Sequence, residues 1–236
     1  MNQIKISEID VNLWNKYNVN FTPHPDVNII VGKNGSGKTT LLSAIERTIP
    51  KDSYIYIPSI DNLVTRDKRK KENALSQDLD SYIYDMKTGP SLMYYRMSLL
   101  DASADEQAVI NERISMFCKV VNSLFKDTEK RIEIEGNKFI INSNGILLST
   151  NDLSSGEKQI LLLLLRVFLL NESESVVLID EPENSLDISW QYKLIDILTE
   201  LNKNAQFFIT THSPSIFGNG WGNKIIYMED VTKKEV

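Results

Sequence analysis

The stretch Gly32-Lys33-Asn34-Gly35-Ser36-Gly37-Lys38-Thr39 constrains this chain more than any other. It follows the apolar run Val27 to Val31 and precedes Leu41, Leu42 and Ile45 at helical spacing, so it joins a buried strand to a helix. Glycines in such a loop let backbone N–H groups turn inward, and the helix N-terminus adds a partial positive charge. The combination cradles phosphates. Spacing and context match the P-loop pattern, in which Lys38 reaches the β and γ phosphates and Thr39 ligates Mg²⁺. Asn34, Gly35, Ser36, Gly37 and Thr40 then surround the nucleotide, and the cofactors expected are ATP and Mg²⁺.

Alternation of strand and helix signals along the chain predicts an α/β fold with a mostly parallel sheet. Ile4, Ile6 and Ile9, then Tyr17, Val19 and Phe21, suggest two early strands that form an antiparallel N-terminal part. Further strands are expected at Tyr54 to Ile57, Val176 to Ile179 and Phe207 to Thr210, with an edge strand at Lys224 to Met228. Leu75, Leu79, Ile83 and Met86, then Ile110, Ile114, Phe117, Val121 and Leu124, recur at three-and-four spacing. They predict a helical lobe over about residues 61 to 130, inserted into a single domain that spans 1 to 236. Gly136-Asn137 and Asn144-Gly145 mark turns between short strands, and one last helix is expected over Ile188 to Leu201.

Two more segments carry chemistry. Asp180 ends a β-branched run and stands where a sheet's carboxyl edge meets a nucleotide, so it is expected to hold Mg²⁺ through water, beside the ligand Thr39. Glu181, one residue on, can orient or deprotonate the water that attacks a γ-phosphate. Without the P-loop upstream, Asp-Glu-Pro would read equally well as a turn with a helix cap. Ser154 and Glu157 make a capping box ahead of a very apolar helix, and Ser154, Ser155 and Gly156 at a capped N-terminus also suit an anion. His212 follows a strand, and a lone histidine is more often structural than catalytic. His24, between two prolines, reads as a loop residue.

Composition narrows the partners. A net charge of -6 over 236 residues excludes a uniformly basic surface, so any nucleic-acid contact would need a local patch such as Arg66 to Lys71. That run also reads as a solvated loop. The most apolar run, Ile160 to Leu165, is far shorter than the roughly 20 residues of a membrane span, which predicts a buried helix without membrane insertion. The N-terminus lacks the pattern of a secretory signal, and the only cysteine, Cys118, lies in an apolar-spaced stretch. A cytoplasmic protein with a buried thiol is expected.

Taken in order, the P-loop, Leu153-Ser154-Ser155-Gly156-Glu157, Asp180-Glu181-Pro182, Ser185-Leu186-Asp187 and Thr210-Thr211-His212-Ser213-Pro214 resemble the ABC-type ATPase superfamily over nearly the whole chain. The wording is similar to the soluble RecF, OLD and SMC branch rather than to transporters. The resemblance implies a head-to-tail homodimer in which Lys38 of one copy and Ser154, Ser155, Gly156 and Glu157 of the other enclose ATP. It makes Lys38, Glu181 and His212 catalytic, with His212 on the γ-phosphate. It leaves the adenine-stacking aromatic open between Trp14 and Tyr17, and the Q-loop open between Ser59 to Asp61 and Gln77. About 24 residues follow His212, so no nuclease domain of the OLD kind is expected after it. The function implied is a switch or motor for a separate effector or nucleic-acid complex, of the kind found in phage-defence or retron systems. The alternatives are an ATPase subunit of a membrane transporter and an ATP-dependent DNA or RNA sensor.

Overall fold

The computed structural model describes residues 4–59, 68–87 and 89–234, with the side chains of 68–73 outside that description. Arg66 and Asp67 of the basic run therefore lie outside the described residues, as do the side chains of Lys68 to Lys71. The chain divides into two compact units, Met1–Leu63 with Glu172–Val236, and Val64–Asn171.

In the first unit, β3 (Val27–Val31), β4 (Tyr54–Ile57), β8 (Val176–Asp180), β9 (Gln206–Thr211) and β10 (Ile225–Tyr227) form a parallel sheet in the order β10-β3-β9-β8-β4. Every residue of β8 and β9 is buried, as continuous apolar runs in a two-sided parallel sheet require. Helix α1 (Lys38–Glu46) presents Leu41, Leu42 and Ile45 to Ile30, Leu178 and Phe208. The same core takes in Ile9, Leu13 and Val19 from an antiparallel sheet. That sheet has the order β1-β2-β11, from β1 (Ile9–Leu13), β2 (Tyr17–Phe21) and β11 (Thr232–Lys234). Truncating a fully buried leucine such as Leu41 to alanine costs about 2–5 kcal/mol, so this core anchors the loop that precedes α1.

Polar residues inside the sheet have defined work. Asn28 accepts from the His24 amide at 2.7 Å and donates to the His24 and Phe207 carbonyls. Gln206 accepts from the Ile6 amide at 2.8 Å and donates to the carbonyls of Ile6 and His24. These bonds correct the first expected strand. Ile6 satisfies its backbone on a side-chain amide rather than a ladder, and the strand begins at Ile9. His24 is a loop residue held through its backbone.

The expected helix over Ile188 to Leu201 is two helices, α6 (Ile188–Gln191) and α7 (Leu194–Leu201). The Lys193 amide bonds to the Trp190 carbonyl three residues back, which tightens the turn between them. A short α8 (Pro214–Phe217) and α9 (Met228–Val231) complete this unit.

The second unit holds α2 (Lys68–Tyr84), α3 (Leu92–Met97), α4 (Ala104–Phe125) and α5 (Ser155–Phe168), with an antiparallel sheet of β5 (Lys130–Glu135), β6 (Lys138–Ser143) and β7 (Ile146–Leu148). Leu75, Leu79 and Ile83 line the buried side of α2, whereas Met86 lies beyond the helix end and is exposed. Asn144 and Gly145 both have positive φ, the conformation a two-residue hairpin turn demands. Phe168 of α5 packs on Phe117 of α4 with ring centroids 4.9 Å apart, and its carbonyl accepts from Arg113 at 3.1 Å. Cys118 is half-buried rather than buried, because it falls on the flank of α4 next to the inward-facing Phe117.

Candidate functional site

The loop between β3 and α1 has the conformation its glycines permit. Gly35 and Gly37 have φ of 78° and 94°, a region that other residues rarely enter. A Cβ on Gly37 would also stand 2.8 Å from the Trp14 ring. Gly37 caps α1 without a side-chain bond, and no acidic residue occupies the helix's first turn. The free N–H groups of that helix end are thus left to an anion, with the helix dipole aligned to favour it.

Around this loop the sheet's carboxyl edge assembles the rest. Lys38 is almost fully buried, and its Nζ donates to the Gly32 carbonyl at 3.0 Å and lies 3.5 Å from Glu181 Oε1. Thr39 Oγ1 donates to Asp180 Oδ2 at 2.9 Å and lies 3.1 Å from Oδ1, and Thr210 Oγ1 donates to Oδ1 at 2.6 Å. Burial, together with the carboxylates of Asp180 and Glu46, pushes the Tyr56 phenol on β4 up to about 12. Glu181 has φ of 46°, held there by its amide, which donates to both the carbonyl and the hydroxyl of Thr210 at 3.1 Å. A non-glycine residue in that conformation costs of order 1–3 kcal/mol and recurs at functional sites.

A cavity of about 510 Å³ opens between these groups, lined by Trp14, Asn34, Gly35, Gly37, Lys38, Thr39, Thr40, Glu181, Asn184 and His212. His212 Nδ1 stands 3.7 Å from Glu181 Oε1 and 3.1 Å from Glu183 Oε1. The three-residue turn from Leu13 to Tyr17 puts Trp14 and Asn15 at positive φ and brings Trp14 to the cavity. Tyr17 meets Trp14 edge-on, with centroids 6.2 Å apart, and is not among the lining residues. The donor set fits Mg²⁺, a hard cation that takes oxygen ligands: the Thr39 hydroxyl and the Asp180 carboxylate, in contact at the P-loop, would hold it.

The second unit carries Ser154, Ser155, Gly156 and Glu157 at the N-terminus of α5. Both bonds of the capping box form: the Glu157 amide donates to Ser154 Oγ at 3.3 Å, and the Ser154 amide to Glu157 Oε2 at 2.7 Å. Lys130 Nζ donates to both carboxylate oxygens of Glu157 at 2.9 and 3.2 Å. Glu157 is therefore turned onto its own helix cap.

Sequence reading missed Glu183 and Asn184. Asn184 lines the cavity, and its Nδ2 donates to Ser59 Oγ at 2.9 Å, just beyond β4. Of the segment considered for the Q-loop, Ser59 is described and Ile60 and Asp61 lie outside the described residues. The signal that was available for Glu183 is the third acidic residue in Asp180-Glu181-Pro182-Glu183.

Fold and site together define a P-loop ATPase of the ABC type with an SMC-head-like fold. The chain belongs to the family described as "AAA domain, putative AbiEii toxin, Type IV TA system", whose model matches residues 67–218. It is 41% identical over 88 residues to the "Retron Ec83 probable ATPase" of Escherichia coli, covering 33% of this chain and 16% of that protein. It is 26% identical over 184 residues to the β-(1→2)glucan export ATP-binding/permease protein NdvA of Rhizobium meliloti, covering 78% of this chain and 28% of that one. The chain thus spans less than a third of the length of either relative. It is 27% identical over 196 residues to the lipoprotein-releasing system ATP-binding protein LolD of Buchnera aphidicola, covering 81% and 76%. An SMC head solved in complex with the C-terminal winged-helix domain of ScpA matches 93% of this chain and 96% of its own, with a TM-score of 0.52 at 15% identity.

Proposed function

We propose that this chain hydrolyses Mg²⁺-bound ATP between two head-to-tail copies of itself and passes the resulting conformational change to a separate effector, in a defence role. The observation that carries the chemistry is the contact of Lys38 with Glu181 at 3.5 Å inside the cavity, next to the Thr39–Asp180 pair. Lys38 would bind the β and γ phosphates, and Glu181 would orient the attacking water. Mg²⁺, held by Thr39 and Asp180, would neutralise charge on the phosphates. His212 would contact the γ-phosphate from the end of β9. The capped N-terminus of α5, with Ser154, Ser155 and Gly156, would close over the nucleotide of the opposite copy. The defence setting rests on the retron relative, whose match spans a small part of that protein.

The decisive experiment is Glu181→Gln. Turnover should fall at least about 100-fold, as expected for loss of a positioned base. MgATP should then hold the protein as a dimer on gel filtration, whereas ADP should leave it monomeric. A Glu181→Gln protein that stays monomeric with MgATP defeats the two-copy mechanism.

The 81% coverage by a lipoprotein-releasing ATP-binding protein favours a second reading, the ATPase subunit of a membrane complex. Among the described residues no helix is long and apolar enough to cross a membrane. That reading therefore needs a separate membrane partner, and co-purification with one from solubilised membranes would select it.

A further inference from the structure

The second unit carries an open groove of about 790 Å³ that the proposed chemistry does not use. Its lining comes from α3, the tight turn Ser98–Leu100 and the first turns of α4, with Met86 and Asn171 at its margins. Met86, Tyr94, Met97, Leu100 and Val109 line it, and all five are exposed. Leu100, at 77%, is the most exposed large apolar side chain among the described residues. Apolar residues scattered singly over a surface carry no message, but a cluster with a polar rim marks an interaction surface. Helical spacing makes this a cluster: Tyr94 and Met97 stand three apart on α3, and Asp105 and Val109 four apart on α4.

The walls of the groove are fixed by their own bonds. Ser91 caps α3 by accepting from the Tyr94 amide at 3.1 Å, and a closed capping box joins Ser103 and Glu106 at the start of α4. Gln107 Nε2 donates to the Leu99 and Ala102 carbonyls at 3.1 and 3.0 Å, which ties the turn to α4. Tyr95 meets Phe168 edge-on with centroids 5.3 Å apart, so the base is anchored on α5. A surface that already holds its shape loses less conformational entropy on binding.

The rim is acidic. Asp101, Asp105 and Glu106 line the groove, and among its described lining residues none is basic. Lys87 and Arg96, the basic neighbours of Met86 and Met97 in sequence, are not part of the lining. This charge selects the occupant. A second copy docked on the same face by two-fold symmetry would set these carboxylates against their own equivalents, which is unfavourable. Phosphates of a nucleic acid or an anionic lipid would be repelled in the same way. A helix with an apolar stripe flanked by lysine or arginine satisfies floor and rim together. We propose that this groove receives a basic amphipathic helix of a partner protein, its apolar face on Tyr94, Leu100 and Val109 and its cationic flanks on Asp101, Asp105 and Glu106. The surface lies wholly in the second unit and does not rest on the reading of the P-loop cavity.

The test uses the full chain and three synthetic peptides of about 18 residues, or five helical turns. One places leucines at i, i+3, i+4 and i+7 spacing and lysines elsewhere; the second exchanges every lysine for glutamate; the third keeps the lysine composition but scatters the leucines over all faces. By fluorescence anisotropy the first should bind at least about tenfold tighter than either control, and added salt should weaken it. Leu100→Lys combined with Val109→Lys should weaken it at least about tenfold, the scale of losing a central anchor. Ile146→Lys combined with Leu147→Lys makes the same charge change at exposed apolar residues of β7 and should leave binding within about twofold. Asp101→Asn combined with Asp105→Asn should weaken binding about threefold and flatten its salt dependence. If the Leu100 and Val109 variant does not fold, photo-crosslinking of a benzophenone-bearing lysine peptide to the unsubstituted protein still locates the site, with adducts expected on α3 and the start of α4. Equal binding of the lysine and glutamate peptides overturns the proposal, as do adducts elsewhere or an equal loss in the groove and β7 variants. A nucleotide-free dimer that the Leu100 and Val109 substitutions dissolve would overturn it in favour of a second copy. A protein that binds the lysine peptide in the groove but hydrolyses no ATP would instead defeat the ATPase reading alone.

Discussion

Thr39 and Asp180, 141 positions apart in sequence, are in hydrogen-bond contact at 2.9 Å, one from the first turn of α1 and one from the end of β8. In the proposed mechanism their oxygens would hold Mg²⁺. Asp180→Asn keeps the size and removes the charge. Mg²⁺-dependent turnover should drop by about 100-fold, the scale of losing one preorganised electrostatic partner, and nucleotide affinity should lose its dependence on Mg²⁺. Titration of ATP with and without Mg²⁺ measures this, and an unchanged Mg²⁺ dependence would remove Asp180 from the metal site.

Trp14, not Tyr17, faces the cavity, and its ring edge closes on Gly37. Trp14→Ala should weaken ATP binding by about 1–3 kcal/mol, the range for one base stacked on an aromatic ring. Tyr17→Phe should leave binding unchanged. Competition between ATP and inorganic triphosphate separates base from phosphate contributions, since only the former should respond to Trp14.

The cap of α5 predicts a stability effect independent of nucleotide. Ser154→Ala removes the Glu157 amide's partner and should cost about 1 kcal/mol in urea denaturation. Burial pushes the Glu157 carboxyl up, but the Lys130 ammonium, the Ser154 amide and nearby hydroxyls outweigh it and hold it below its usual 4.5. A depressed pKa gives stability that is present above the ordinary value and lost as pH falls through the lower folded one. Glu157→Gln should therefore be less stable than the unsubstituted protein at neutral pH, with the gap closing as pH falls past the usual 4.5 and through the lower folded value.

Cys118 offers a check on the helical unit. Burial, reinforced by the Glu133 carboxylate, pushes its thiol up to about 11. Little thiolate exists at neutral pH, so iodoacetamide should label the native protein slowly and the urea-unfolded protein many times faster. Rapid labelling of the native protein would contradict the packing of α4.

Much of the fold was legible because its signals are local. Val27 to Ile30, Val176 to Ile179 and Phe207 to Thr210 are buried on both faces, so their largely apolar runs mark them. Asn144-Gly145 marks its hairpin because few residues tolerate two positive φ values in succession. The misplaced first strand has the opposite cause. Ile6 is alternating and apolar, but its backbone is satisfied by Gln206, 200 residues away, and no local pattern encodes that partner. The break at Tyr192 and Lys193 inside an amphipathic run was hidden for the same reason, since apolar spacing does not report a turn tightened by backbone bonding.

The site divides along the same line. The P-loop, Asp180, Glu181 and His212, which the structure brings to one sheet edge, stood out in the sequence because each expected role needs particular residue types at a fixed place relative to a strand end. Sequence alone determined that this chain carries a P-loop glycine pattern, an aspartate at a strand end and a capping box ahead of an apolar helix. Tertiary structure decided which groups meet. It chose Trp14 over Tyr17, turned Glu157 inward to Lys130, and placed Glu183 under His212. Those pairings depend on strand order and on which side chains a buried sheet edge brings within about 3 Å, the reach of a hydrogen bond. Spacing along the chain carries no record of it.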